Sequence, residues 1–121
     1  MKKYVGSRRE GITAVVVVDN ETGRGRLLDP GSRHVNHSPT GFEWGYTGSG
    51  PAQLAFAILL DYFNAPGQAM LLYQDFKHHV IATLNADEWT LTADEIEQHL
   101  ARIRVLRSRS RSEETNWQSS T

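Results

Sequence analysis

The stretch Pro51-Ala-Gln-Leu-Ala-Phe-Ala-Ile-Leu-Leu-Asp-Tyr-Phe63 decides the architecture. Leu54, Ala55, Ile58, Leu59, Tyr62 and Phe63 recur at helical spacing and line one face. Phe56 and Leu60 carry apolar surface further round, and only Gln53, Asp61 and nearby Asn64 are clearly polar. A helix that is apolar over most of its circumference is a buried one, so this segment is expected to lie across a sheet and form the core. Each large side chain it buries contributes about 1.5–3 kcal/mol. Pro51 suits the first helical position, with Gly50 or Ser49 capping, and Asn64-Ala65-Pro66-Gly67 ends the helix.

Upstream, Val15 to Val18, led by Ile12-Thr13-Ala14, form a β-branched apolar run that predicts a central strand covered on both faces. Lys3 to Arg8 is its expected partner, turned at Arg9-Glu10-Gly11. Asp19 to Gly23 is turn chemistry, and Arg24 to Leu28 returns as a third strand, stopped at Asp29-Pro30-Gly31. Such short turns allow only antiparallel neighbours. Downstream, Gln68 to Leu84 predicts a second helix through Ala69, Leu72, Tyr73, Phe76, Val80 and Leu84. Asp87 to Thr90 reads as a connector or short strand with Trp89 in the core. Thr92-x-x-Glu95 is a capping box that starts a third helix on Ile96, Leu100 and Ile103, acidic at its start and arginine-rich at its end. The expected fold is α+β: a three-stranded antiparallel sheet packed by about three helices, the first one central. Residues 1–106 form a single domain in this reading, and the Arg/Ser-rich, Ser/Thr-ended segment 107–121 is a flexible tail.

Composition narrows the function. The chain has 121 residues, enough for one domain with a real core. It has no cysteine, which excludes disulfides, thiolate metal sites and cysteine nucleophiles. Thirteen Lys and Arg face 14 Asp and Glu, so net charge points to neither nucleic acid nor membrane. The basic start at Met1-Lys2-Lys3 has no apolar run behind it, and the longest apolar run, Leu54 to Leu60, is too short to span a bilayer. A soluble cytoplasmic protein without membrane contact is expected.

Residues Ser32 to Gly50 follow neither periodicity, and a loop of that length in a compact domain is usually functional or disordered; its three aromatics argue against disorder. Ser38-Pro39-Thr40-Gly41 reads as a β-turn. Phe42, Trp44 and Tyr46 need apolar cover, and Gly48-Ser49-Gly50 feeds the N-terminus of the buried helix. Free N–H groups and the helix dipole favour an anion there. The candidate ligand-binding set is therefore Phe42, Glu43, Trp44, Tyr46, Gly48, Ser49 and Gly50, with Trp44 or Tyr46 stacking on a ring and Glu43 accepting hydrogen bonds. In the competing reading, Glu43 folds back on those N–H groups and the aromatics plug the core. The glycines match neither a Walker loop nor a dinucleotide fingerprint. Ser49 is not in a nucleophile elbow, because Thr47 and Pro51 stand where glycines are needed; it reads as a cap. His34, His37, His78 and His79 lack metal-ligand spacing, so neither metal nor cofactor is expected. Asp61, Asp75 and Glu43 border apolar segments without forming an acid/base pair, and the reading leans away from an enzyme. Arg107, Arg109 and Arg111 offer only weak, salt-screened contact to phosphates, and Trp117 is a candidate partner anchor.

The motif S-P-T-G-F-E-W-G-Y-x-G-S-G-P-A-Q-L-A, from Ser38 to Ala55, resembles the signature of a family of small prokaryotic, phage and plasmid proteins labelled only as a domain of unknown function. Tyr4-Val5-Gly6, Tyr73-Gln74-Asp75-Phe76-Lys77 and Trp89-Thr90-Leu91-Thr92 are similar to it as well, so the resemblance runs from about Tyr4 to Arg104. Thr47 stands where glycine is expected. The resemblance implies no activity, catalytic residue or cofactor. It implies a mobile-element context, in which small proteins often act against host defence. Two classes of target follow: an anionic small molecule such as a nucleotide, or a host protein complex such as a CRISPR effector, blocked by contact as an anti-CRISPR protein would. A small hydrolase using Ser49 or a histidine-bound metal is the third alternative.

Overall fold

A computed structural model describes residues 1–37 and 41–119, the side chains of 111–119 excepted. The expected turn at Ser38-Pro39-Thr40 and the expected anchor Trp117 lie outside what is described. Strands β1 (Lys2–Arg9), β2 (Ile12–Asp19) and β3 (Gly25–Leu27) come first, then helices α1 (Ser49–Phe63) and α2 (Pro66–His79). A single 3₁₀ turn (Ile81–Thr83), strand β4 (Glu88–Thr92) and helix α3 (Ala93–Ser119) complete the order. The α+β class holds, but the antiparallel sheet has four strands, ordered β3-β2-β1-β4. The fourth was expected as a connector or short strand; it pairs with β1 from Lys3↔Thr92 to Ser7↔Glu88. Its alternation explains the pairing: Trp89 and Leu91 are buried, while Glu88 and Thr90 face out.

Strand β2 is covered on one face only, not two. Val15 and Val17 are buried against the helices with Tyr4 and Leu91, whereas Val16 and Val18 are half-buried and Ile12 is exposed. An apolar run registers β-branched packing but cannot say how many layers lie over it.

Helix α1 is the buried element that its composition demands. Every residue from Gly50 to Leu59 is buried. The helix starts earlier than expected, at Ser49, and its N-cap is Gly48 rather than Ser49 or Gly50. Pro51 is thus the third helical residue. It loses no bond there, because the first intrahelical N–H, from Ala52 to the Gly48 carbonyl at 3.0 Å, comes one residue later. Asn64 closes the helix in the left-handed conformation (φ 51°).

Helix α2 ends at His79 rather than Leu84, and Thr83 Oγ1 takes up the Val80 carbonyl at 2.7 Å where the chain tightens into the 3₁₀ turn. The capping box forms as expected, with the Glu95 N–H donating to Thr92 Oγ1 (3.1 Å) and the Thr92 N–H to Glu95 Oε1 (3.2 Å). Helix α3 then continues past residue 106 to Ser119. No glycine or proline interrupts it, so the fading of its apolar stripe changes what it packs on, not its backbone. Arg107, assigned to the tail by composition, is tied to Asp75 of α2 at 2.7 Å. Among the described residues no helix is long and apolar enough to cross a membrane.

Candidate functional site

The loop that leads into α1 is fastened to the sheet by Arg8 and Thr13, which sit on the helix-facing side of β1 and β2. Thr13 Oγ1 donates to the Phe42 carbonyl at 2.7 Å. The Arg8 guanidinium donates to Glu43 Oε1 at 2.5 Å, to the Trp44 carbonyl at 3.3 Å and to Asp87 Oδ1 at 2.9 Å. Its central carbon also lies 4.5 Å from the Trp44 ring centroid, a cation–π contact. The hydrogen bond it donates to Glu43, more than any other influence, keeps Arg8 charged, raising its pKa above the ordinary arginine value.

Trp44 is 2% exposed. Its indole N–H donates to the Ala86 carbonyl at 2.8 Å, and its ring meets Trp89 edge-on with centroids 5.4 Å apart. Of the two residues expected to stack on a ligand, Trp44 is a core pin, with Arg8 over its ring. Glu43 neither reaches for a base nor caps the helix; its carboxylate is held by Arg8. Gly50 is buried directly beneath Glu43, where an added Cβ would come within 2.8 Å of the Glu43 Cβ. Gly48 likewise accommodates the Tyr46 ring, 2.5 Å from where a Cβ would stand. These two glycines are set by close approach of side chains to the backbone.

The free chemistry of the loop is therefore narrower than the sequence suggests. Tyr46 is 53% exposed, with Thr47 and Ser49 exposed beside it, while Phe42 is half-buried against the core. Pro51 has no N–H, so the helix start offers fewer donors than an ordinary first turn, and Gly50 is covered. Among the described residues from 42 to 50, the exposed side chains are the Tyr46 ring and the hydroxyls of Thr47 and Ser49.

Among the other singled-out residues, His34, His37 and Asp61 have local partners. The His37 ring bonds to the Tyr73 hydroxyl at 2.8 Å, and His34 leans on Phe56. His78 and His79 are exposed on α2. Among the described residues no three metal-ligating side chains converge. Asp61 accepts from Tyr4 Oη (2.6 Å), Lys2 Nζ (2.9 Å) and Arg26 (2.5 Å). Burial pushes its carboxyl up, but these three donors outweigh it and hold the pKa below the usual value. Burial, reinforced by the bond to Asp61, in turn pushes the Tyr4 hydroxyl far above the tyrosine range.

Two residues that carry the site were not singled out by sequence. Arg8 carries one signal, its inward parity in β1 alongside Tyr4 and Gly6. Gln53 is the other. Fully buried, it accepts from the His37 N–H at 2.7 Å and donates to the Pro30 and Val35 carbonyls at 2.6 and 2.8 Å, closing the 30–37 segment onto α1.

A family model described as a family of unknown function (DUF6166) matches residues 4–102, and the chain belongs to that family. Comparison with curated proteins returned no match, and neither did comparison with solved structures.

Proposed function

We propose that this protein is a non-enzymatic binding protein that acts by surface contact with another protein, through the ledge of Tyr46, Thr47 and Ser49 at the start of α1. The observation that carries this reading is the division of labour among the loop aromatics: Trp44 is consumed by the core, while Tyr46 is presented outward on a backbone fastened by Arg8. A rigid, amphipathic, exposed tyrosine is a favoured protein-contact residue. The nucleotide-cradle reading draws less support, since one of its two stacking candidates, Trp44, and its carboxylate, Glu43, are engaged within the fold. The loop motif's resemblance to phage and plasmid proteins supports a mobile-element accessory role against host defence, with a host complex such as a CRISPR effector as target.

The test is capture of an effector complex from a host with active CRISPR interference, with a transformation assay in parallel. The expected result is co-purification and protection of a targeted plasmid by the natural chain, lost in Tyr46→Ala at an unchanged melting temperature. Capture that survives Tyr46→Ala overturns the site. A thermal shift with a mono-, di- or cyclic nucleotide, abolished by Ser49→Tyr, replaces the reading with the cradle.

A further inference from the structure

The sheet has a second face, and no helix lies over it among the described residues. It carries Lys3, Val5, Ser7 and Arg9 of β1, Ile12, Ala14, Val16 and Val18 of β2, Leu27 of β3, and Glu88, Thr90 and Thr92 of β4. The register sets them in rows: Thr92-Lys3-Val18-Gly25, then Thr90-Val5-Val16-Leu27, then Glu88-Ser7-Ala14. Ile12 is 73% and Leu27 72% exposed. An apolar row runs through the centre of this face, and charge is confined to its margins.

We propose that this face binds a second copy of the chain, sheet against sheet, as a weak two-fold dimer. The register itself supplies the complementarity. Place the two-fold axis between the sheets, across the strands, at the level of Val5 and Val16. Strand then lies over the same strand and heights are exchanged. Val5, Val16 and Leu27 stack on their own counterparts, and the Lys3 row of one copy comes level with the Glu88 row of the other. Lys3 has no charged partner among the described residues, and Glu88 is shared only with Arg9 at an exposed 3.1 Å pair. Two symmetric Lys3–Glu88 contacts would flank the apolar centre, an isologous arrangement. Twisted sheets pack face to face in an aligned manner at about 10 Å separation.

Size sets the strength. At about 4.8 Å between strands and about 3.4 Å per residue, the face covers roughly 400 Å² per copy. The pair then falls below the roughly 1,200 Å² of standard stable interfaces. A weak, reversible association is expected, rather than an obligate dimer. The surface is distinct from the Tyr46 ledge, which rises on the helix-bearing side.

Sedimentation velocity from low to several hundred micromolar protein tests this. The expected result is a reversible monomer–dimer shift, weakened about tenfold or more by Leu27→Lys and by Val16→Lys. Leu27 is exposed enough that its replacement leaves the fold intact, and circular dichroism checks that. Lys3→Glu and Glu88→Lys each weaken association at low salt, and the double swap restores it. Tyr46→Ala leaves it unchanged. A monomer throughout the range overturns the proposal, as does a dimer that survives both lysine substitutions.

Discussion

Gly6→Ala is the smallest change that interrogates the packing of this fold. Gly6 faces Trp89 directly across the β1–β4 ladder. A Cβ at residue 6 would stand 2.2 Å from Trp89 Cε2, 2.3 Å from Cζ2 and 2.6 Å from Nε1. The indole therefore lies flat over the glycine, covering a backbone that has no side chain of its own. To reach ordinary contact the ring must retreat by more than 1 Å on the order of a van der Waals radius. That retreat is resisted, because the ring is only 8% exposed and meets Trp44 edge-on. Overpacking of a rigid ring belongs at the top of the usual range, about 3 kcal/mol. For a chain of this size that lowers the melting temperature by roughly 12 °C. The control is the same substitution in a Trp89→Leu background. There the clash is gone, and alanine is expected to be neutral or to stabilise by about 0.5–1 kcal/mol, because glycine in a strand loses more backbone entropy. The cycle of four proteins, unfolded in urea and followed by far-UV circular dichroism, should give a coupling of about 3 kcal/mol or more. A cost for Gly6→Ala below about 1 kcal/mol, or an equal cost in both backgrounds, refutes the argument.

Two further outcomes follow from buried polar groups. Asp61 has a folded pKa below its unfolded value of 3.8, so its contribution is fully present above that value and is lost as pH falls from there through the folded pKa. The urea midpoint should stay flat down to about pH 5 and fall steeply below about pH 4, with part of that fall removed in Asp61→Asn; an unchanged acid limb in the variant counts against the three-donor account. Gln53→Leu leaves the Pro30 and Val35 carbonyls and the His37 N–H without their buried partner. A loss of about 3 kcal/mol and faster hydrogen exchange at the His37 amide are expected, and a loss under 1 kcal/mol on the same order-of-magnitude scale means that water takes over those bonds.

How far the sequence reads depends on whether the physics is local. Helix α1 is legible because burial on every side from Gly50 to Leu59 leaves its mark on nearly every residue of that run. Gln53 shows the limit: its polarity is visible in the string, but its partners lie 16 to 23 residues upstream in a segment with no period. The same holds for β4. Its alternation is plain in Glu88 to Thr92, yet its place beside β1 is a non-local pairing that a reading by short turns cannot reach. Val15 to Val18 announce a strand but not which face is covered. In the loop, Phe42, Trp44 and Tyr46 alternate like strand residues, and all three look equally available. What separates them is Arg8, over thirty residues away, which fixes Glu43 and lies on the Trp44 ring while Tyr46 is left outside. At the other end, the Arg/Ser composition after Leu106 reads as a tail because composition reports the absence of core contacts, whereas helix continuation needs only the absence of glycine and proline.

The two proposed surfaces belong to opposite sides of one sheet, and that relation is a physical consequence of the fold. Arg8 and Thr13 tie the loop to the helix-bearing face, so the odd-numbered residues of β1 and the even-numbered residues of β2 that alternate with them are turned away from it. Pairing two copies through the bare face leaves both Tyr46 ledges turned outward. Bivalent presentation changes the requirement on each contact. A ledge of three small-to-medium side chains supports only modest affinity by itself, and a sheet face of this size supports only a weak dimer. Joined, each contact makes the other effectively intramolecular on a target that offers two sites, and overall binding then exceeds either contact without any new interaction. A small protein presenting one fastened ledge would gain more from such coupling than from additional loop, because added loop must be ordered on binding, whereas the segments beside the ledge are held by Arg8, Thr13 and Gln53.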